Sequence, residues 1–377
     1  MDAADISGID AAQAGGRLTI DLGALVRNWK KLAATAPAAE TGAVVKADAY
    51  GLGAAPVVTA LAKAGCRTFF VAYAHEGAAV RKAEPDARIF VLCGAQASEY
   101  GLLREHALIP MLASHEQLNS WLAANAGLPF GLNFDTGMNR LGFVAADAQA
   151  LGDARLAGLC HVMSHLACAD DPQHPMNARQ LKSFQQVVAT FSGIVSSFSN
   201  SAGMFLGADF HCNVTRPGIA LYGGEAVNGV ANSMEPVARL EARVIQVRAA
   251  KAGETVSYGA TEILGRDTRI AVCGVGYADG FHRASGGGVA LRDTGRHAGI
   301  GFIAGKKVPI LGRVTMDLTM FDVTDLPDSA VAAGDFVELF GRNIAVDDAA
   351  RAAGSIGYEI LTSLGNRYHR RYQTGGA

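Results

Sequence analysis

The chain has 377 residues, of which 50% are hydrophobic and 18% charged, and its formal net charge is −2. That length accommodates two domains, or one large barrel with an addition. The near-neutral balance excludes a nucleic-acid binder built on a basic stripe, and no apolar run is long enough to span a bilayer.

The opening stretch, Met1 to Gly16, is small, polar and acidic. It lacks the basic and apolar regions of a secretory signal, which points to the cytoplasm. From about Leu18 to Tyr222, short apolar or β-branched runs predict strands at 43–47, 68–73, 88–93, 108–112, 130–134, 156–164, 194–199 and 214–222. Between them, helical periodicity marks 56–64, 98–106, 115–124 and 177–191. Repeated strand–helix units imply a parallel sheet, and about eight of them close a (β/α)8 barrel of the TIM type. Beyond about Ser233 the period falls to two, at 239–247, 269–273, 308–311 and 336–340, with helical stretches at 346–353 and 358–365. The expected organisation is therefore an α/β barrel over 17–233 followed by a mainly β domain over 234–377. Cys66, Cys93, Cys160, Cys168, Cys212 and Cys273 show neither zinc-ribbon nor redox spacing and read as buried, reduced thiols.

Several polar residues fall at or just beyond the C-terminal ends of predicted strands: Lys46, Arg140, His165, Asn200, Ser201 and Arg216. In such barrels that rim is the active-site face. Lys46 ends an apolar run within Ala43-Val-Val-Lys-Ala-Asp-Ala-Tyr-Gly-Leu-Gly53. Burying an ammonium is costly, and one use that justifies it is a Schiff base; on spacing alone, a lysine snorkelling from a strand end is the simpler account. Ser199-Asn-Ser-Ala-Gly203 reads as a loop opening a helix, suited to anions, although an ordinary N-cap fits equally well. His161 and His165 with Asp170, Asp171 and His174 match no metal-ligand spacing. Gly274-Val-Gly276 lacks the third glycine of a dinucleotide fingerprint, and a serine nucleophile elbow is absent.

The lysine segment resembles the pyridoxal-phosphate lysine motif of the alanine racemases. Asp135-Thr-Gly-Met-Asn-Arg-Leu-Gly142, Val256-Ser-Tyr-Gly-Ala-Thr261, Gly276-Tyr-Ala-Asp-Gly280 and Gly312-Arg-Val-Thr-Met-Asp317 resemble further signatures of that family, in the family's order and across nearly the whole chain. The resemblance implies a racemase interconverting L- and D-alanine with pyridoxal 5'-phosphate (PLP) by a two-base mechanism, supplying D-alanine for peptidoglycan. Lys46 is then the cofactor anchor and the base for the D-face. Tyr258, reaching over from the β domain of a second subunit, is the base for the L-face, with His165 and beyond it Arg216 as its partners. That arrangement implies a homodimer with shared sites.

The resemblance places Arg216 against the pyridine nitrogen, where a donor that keeps its proton leaves the ring a weaker electron sink; a decarboxylase of the same fold would carry an acid there. Tyr50, Ser201 and the backbone amides of Gly218 and Ile219 match the phosphate cradle, with Asn200 beside them. Arg140 would hold the substrate carboxylate, joined by Met316, Tyr277 and Asp317 of the other subunit. The N-terminal segment 1–22 would join the β domain, with a strand at 17–22. Three departures stand out. Asn133 replaces a modified lysine, so that a bound anion such as chloride would have to supply the missing charge; Asn366 replaces a tyrosine, or the register differs there, and Leu52 replaces a histidine. Two other readings are a broader racemase that also takes serine, and a non-catalytic PLP-binding barrel protein. The long region carrying Tyr258 and Met316-Asp317 argues against the latter.

Overall fold

The computed structural model describes residues 9–287 and 298–374. It divides into two compact units, one made of Leu25–Leu221 with Glu225–Met234, the other of the described residues up to Ala24, Tyr222–Gly224 and the chain from Glu235 onward.

In the first unit the strands Ala43–Val44, Thr68–Val71, Arg88–Val91, Ile109–Leu112, Phe130–Asp135, Leu159–Met163 and Val195–Ser197 pair in parallel, each with the next. Val214–Thr215 pairs in parallel with Glu40–Thr41, just before the first of them. Backbone bonds from Gly42 N to Thr215 O (3.0 Å), Val44 N to Pro217 O (2.9 Å), Asn213 N to Ser196 O (3.0 Å) and Arg216 N to Ser199 O (2.9 Å) complete the ring. With 40–44 counted as one interrupted strand, this is an eight-stranded parallel barrel. Its interior holds large side chains: Phe70 stacks on Phe90 at 5.2 Å, and the His161 ring lies 4.7 Å from Phe90. Gly131 makes room for Met111, whose Sδ would stand 2.4 Å from a Cβ at that position.

The strand ends differ from the sequence expectation in ways that matter to the site. The run 43–47 leaves the ladder at Val44, and residues 47–50 form a left-handed turn instead. The run 214–222 gives two strand residues and then Pro217, which has no N–H for a ladder, before the short 3-10 turn Ile219–Tyr222. The helix expected after Asn200 is only the 3-10 turn Gly203–Phe205. Three helices were not expected: Leu22–Thr35, the short Ala148–Asp153, and Ala74–Ala83, whose small and charged residues leave a weak apolar stripe. Of the thiols, Cys66 and Cys273 are buried, but Cys93 is exposed. Burial pushes the Cys66 thiol up to about 12.

The second unit is one sheet in the order Thr268–Cys273, Thr319–Asp322, Lys306–Leu311, Ile300–Ile303, Phe336–Phe340, Ala238–Ala250, Gly16–Asp21, His369–Gln373. The long strand Ala238–Ala250 also pairs with Thr268–Cys273 beyond a bulge at Val244, which closes the sheet on itself. Leu18, Ile20, Phe321, Val337 and Phe340 fill its core. Gly16–Asp21 runs antiparallel to Ala238–Ala250 and parallel to His369–Gln373. Buried Glu241 fixes this register by accepting from Arg17 Nε (2.6 Å) and Nη2 (2.8 Å). Removing one partner of a buried pair is strongly destabilising, and Arg17 keeps partial access to water, which softens the loss. Glu241→Ala is expected to cost about 2 kcal/mol of unfolding free energy, read as a lower denaturant midpoint at constant slope.

Candidate active site

Lys46 opens at the C-terminal rim of the barrel, directly after the first strand. Ala47, Asp48, Ala49 and Tyr50 then take φ of 53°, 53°, 53° and 57° in succession. For L-residues each such position costs roughly 1–2 kcal/mol, so the turn stands only because its surroundings hold it. Asp48 Oδ1 accepts from Ala54 N at 2.7 Å, and Gly53 N donates to Asp48 O at 2.9 Å. Glu76 Oε1 accepts from Ala47 N at 2.8 Å. The turn aims Lys46 into the rim, where burial first and Arg140 second lower the amine pKa, while Cys93 and Glu76 draw it back up.

Arg140 is placed by Asp135. The Asp135 carboxylate accepts from Gly137 N (2.8 Å), Met138 N (2.9 Å) and Arg140 N (2.9 Å), and these amides outweigh burial and hold its pKa below the ordinary carboxylate range. Asn133, one strand residue earlier in the same face, is buried; its amide donates to Leu141 O at 2.9 Å and its Oδ1 has no partner. It therefore ties the loop by a neutral bond and supplies no charge.

Arg216 is 3% exposed and bonded only to neutral groups: Ser197 Oγ, Ser164 O at 2.6 Å and Phe198 O at 3.4 Å. Burial with no acid partner pushes its pKa down to about 10. His165 follows the Ser164 carbonyl, and burial together with Arg216, Arg140 and Lys46 pushes it down to about 3, so its ring is neutral. His161, deeper in the barrel, is held neutral by the same causes, burial and then Arg216.

Beside the lysine turn lies a compact polar cluster. Ser201 Oγ accepts from Gly218 N (2.8 Å) and Ala220 N (3.2 Å), with Ile219 buried between them. A Cβ on Gly218 would stand 2.2 Å from Tyr50 Oη, so only glycine admits that hydroxyl. Asn200 Oδ1 accepts from Gly203 N at 2.9 Å, capping the short turn. The barrel thus gathers Lys46, Tyr50, Arg140, His165, Ser201, Arg216 and Gly218. Among the described residues, no cluster of three or more His, Cys, Asp or Glu is arranged to hold a metal ion.

The remaining candidates stand in the β unit. Tyr258 is 72% exposed on the turn of the hairpin Thr255–Val256 and Glu262–Ile263, flanked by Ser257 (φ 67°), Gly259 (φ 76°) and Ala260 (φ 48°). Ser257 Oγ donates to Arg313 O at 2.8 Å and braces that turn. Tyr277 (42% exposed) and Met316 (54% exposed) lie on two loops laddered by Tyr277 N to Thr315 O and Ala278 N to Met316 O, both 3.0 Å. Sequence reasoning missed what joins these loops. Arg367 donates from Nε to buried Asp279 (2.7 Å) and from both Nη atoms to Asp317 (2.9 Å each), while Asp279 accepts from Gly276 N at 2.9 Å. An arginine fifty residues from Asp317 leaves no local signal.

A lysine at the first strand end of a parallel barrel, with a cationic rim and a hydroxyl-lined cradle, defines the class of lysine-anchored cofactor barrels. Comparison with known proteins narrows this. Residues 20–226 match the model for the alanine racemase N-terminal domain and 237–372 that for the alanine racemase C-terminal domain. An alanine racemase of Rhizobium meliloti is 54% identical, covering 97% of this chain and 98% of its own. A biosynthetic alanine racemase of Agrobacterium fabrum is 55% identical, covering 96% and 94%. The crystal structure of the Bartonella henselae alanine racemase, with covalently bound pyridoxal phosphate, superposes with a TM-score of 0.87 at 36% identity, covering 96% and 100%. The chain belongs to the alanine racemase family.

Asp279 is buried, so removing its arginine strands a carboxylate with one backbone donor. Arg367 itself is half exposed, which softens the loss, so Arg367→Ala is expected to lower the unfolding free energy by about 1–2 kcal/mol, and Arg367→Lys to recover part of that, in matched urea titrations.

Proposed function

We propose that this alanine racemase interconverts L- and D-alanine with two proton-transfer groups, Lys46 of one subunit and Tyr258 of its partner. The observation that carries the reading is Lys46 itself: a half-buried amine at a strand end, its pKa lowered by burial and Arg140, in a rim otherwise lined by Arg140, Arg216 and a neutral His165. An amine so placed gives up its proton more readily than a solvated lysine and serves as a base nearer neutral pH.

Pyridoxal 5'-phosphate fits these residues. A wholly buried guanidinium without an acid partner suits an acceptor ligand, and the Tyr50, Ser201 and Gly218 cluster suits a phosphate. Lys46 would anchor it; Tyr50, Ser201, Gly218 and Ile219, with Asn200 alongside, would hold its phosphate; Arg216 would face its ring nitrogen. When bound, the cofactor supplies the electron sink that acidifies the α-C–H of alanine. Arg140 orients the substrate carboxylate, assisted by Met316, Tyr277 and Asp317 of the partner. Lys46 Nζ takes or returns the α-proton on one face, and the Tyr258 phenol does so on the other. A neutral His165 would orient the phenol by a hydrogen bond from or to its ring nitrogen, without itself taking up the proton.

The exposure of Tyr258, Tyr277 and Met316 supports a homodimer in which each β unit completes the partner's site. The Agrobacterium fabrum relative is a biosynthetic alanine racemase, which supports a biosynthetic role here; the D-alanine so made would feed peptidoglycan synthesis from the cytoplasm.

With L-alanine in deuterium oxide, α-proton exchange and D-alanine are expected to appear together. Tyr258→Phe is expected to reduce racemisation at least ~1000-fold while exchange from one enantiomer persists. Exchange without inversion in the unaltered enzyme would sink the two-base assignment, because a single group would then remove and return the proton on one face. A second outcome follows from electrostatics. Arg140 lowers the Lys46 pKa, so Arg140→Gln is expected to raise it and move the acid limb of the kcat–pH profile to higher pH. An unmoved limb would detach Lys46 from that limb.

A further inference from the structure

The left-handed turn after Lys46 contains four successive non-glycine residues with positive φ, and it is held by bonds both within the segment and from outside it. Within the turn, Ala49 N donates to Val45 O (2.9 Å) and Leu52 N to Ala49 O (3.2 Å). The amide that follows Lys46 is satisfied from outside. Ala47 N donates to Glu76 Oε1 at 2.8 Å, from a residue 29 positions away. The other oxygen of the same carboxylate, Oε2, accepts from Ala72 N (2.7 Å) and Tyr73 N (3.2 Å), at the end of the neighbouring barrel strand. One side chain therefore spans two adjacent strand ends.

Part of this is ordinary helix capping. Glu76 is the third residue of the helix Ala74–Ala83, and its bond back to Tyr73 N is half of a capping box. A cap needs only Oε2. It does not explain why Oε1 reaches across to Ala47, or why the tie lands on the one amide next to the lysine.

We propose that Glu76 is a positioning residue for Lys46: its carboxylate clamps the left-handed turn to the adjacent strand and so sets where the amine stands in the barrel rim. This rests on the role proposed for Lys46 above. The positioning is carried by geometry: the charge of Glu76 works weakly against the lowering of the amine pKa by burial and Arg140. A carboxylate can serve both sides at once because it is acceptor-only at both oxygens; a glutamine amide offers one acceptor and must turn a donor toward donors on the other side.

The test uses the full-length holoenzyme and two substitutions. Glu76→Gln keeps the shape but loses one acceptor. Glu76→Asp keeps the charge and can still cap the helix, but falls one methylene short of Ala47. Hydrogen–deuterium exchange of the peptide over 46–54 and steady-state kinetics with alanine are read together. Both variants are expected to exchange at least tenfold faster over 46–54, with kcat down about tenfold and KM within twofold of the unaltered enzyme, while Glu76→Asp leaves exchange in the helix Ala74–Ala83 unchanged. Exchange over 46–54 that stays slow in both variants overturns the clamp. So does faster exchange without a fall in kcat, which would make the bond purely structural. The exchange reading does not depend on the reaction. An unaltered enzyme that fails to racemise alanine would count against the function and leave the clamp to be judged on exchange alone.

Discussion

Burial of cationic groups at one barrel rim, with repulsion between some of them added, is the constraint to which the rest of this site answers. Lys46, Arg140, His165 and Arg216 act on one another electrostatically, and little nearby acid offsets them. Each yields in its own way. His165 surrenders its proton, Lys46 holds its own less firmly, and Arg216, which cannot give way, is surrounded by carbonyl and hydroxyl oxygens instead of a carboxylate. A rim in this condition favours anionic ligands, and it favours a lysine that can act as a base. Both follow from burial first and charge crowding second.

The acids that are present act on the backbone. Asp135 spends its oxygens on the amides of the loop that carries Arg140, and Glu76 on the amide beside Lys46. In the β unit Asp279 does the same for Gly276, ahead of Tyr277. In each case a carboxylate fixes the chain next to a candidate functional residue without touching that residue's side chain. Local geometry is thereby set by charge-assisted bonds, which are shorter and stronger than neutral ones. The cationic rim is not neutralised in the process.

What could be read from the sequence follows from how far each signal extends. The barrel strands show because each is a short buried run between turns, and the long strand Ala238–Ala250 shows because it alternates. The strands Ile300–Ile303, Thr319–Asp322 and His369–Gln373 did not show: the first contains a glycine, and the last is mostly charged or polar. The candidate residues of the rim were found through motif resemblance and strand-end position, and the structure gathers Lys46, Arg140, His165 and Arg216 electrostatically. The left-handed turn at 47–50 was illegible, because alanine and tyrosine give no warning of positive φ and one aspartate does not predict four such residues in a row. Glu76 and Arg367 were illegible for another reason. Their partners lie 29 and 50 or 88 residues away, and only the closed sheets bring them within reach.

Asn133 shows how a departure from a family pattern is absorbed. A charged side chain at this buried strand position would act on Arg140 directly. The asparagine instead bonds the carbonyl of Leu141, the residue after Arg140, so it holds the same loop by its backbone. Asp135 already grips that loop through the amides of Gly137, Met138 and Arg140. Position and charge, which one ionised group could have supplied together, are therefore separated here: the loop is anchored from both ends, and the guanidinium is left with its charge unopposed by residue 133. That leaves the substrate carboxylate, in the proposed reaction, as the natural counter-charge for Arg140. A small anion held near the same guanidinium would compete with it for that charge.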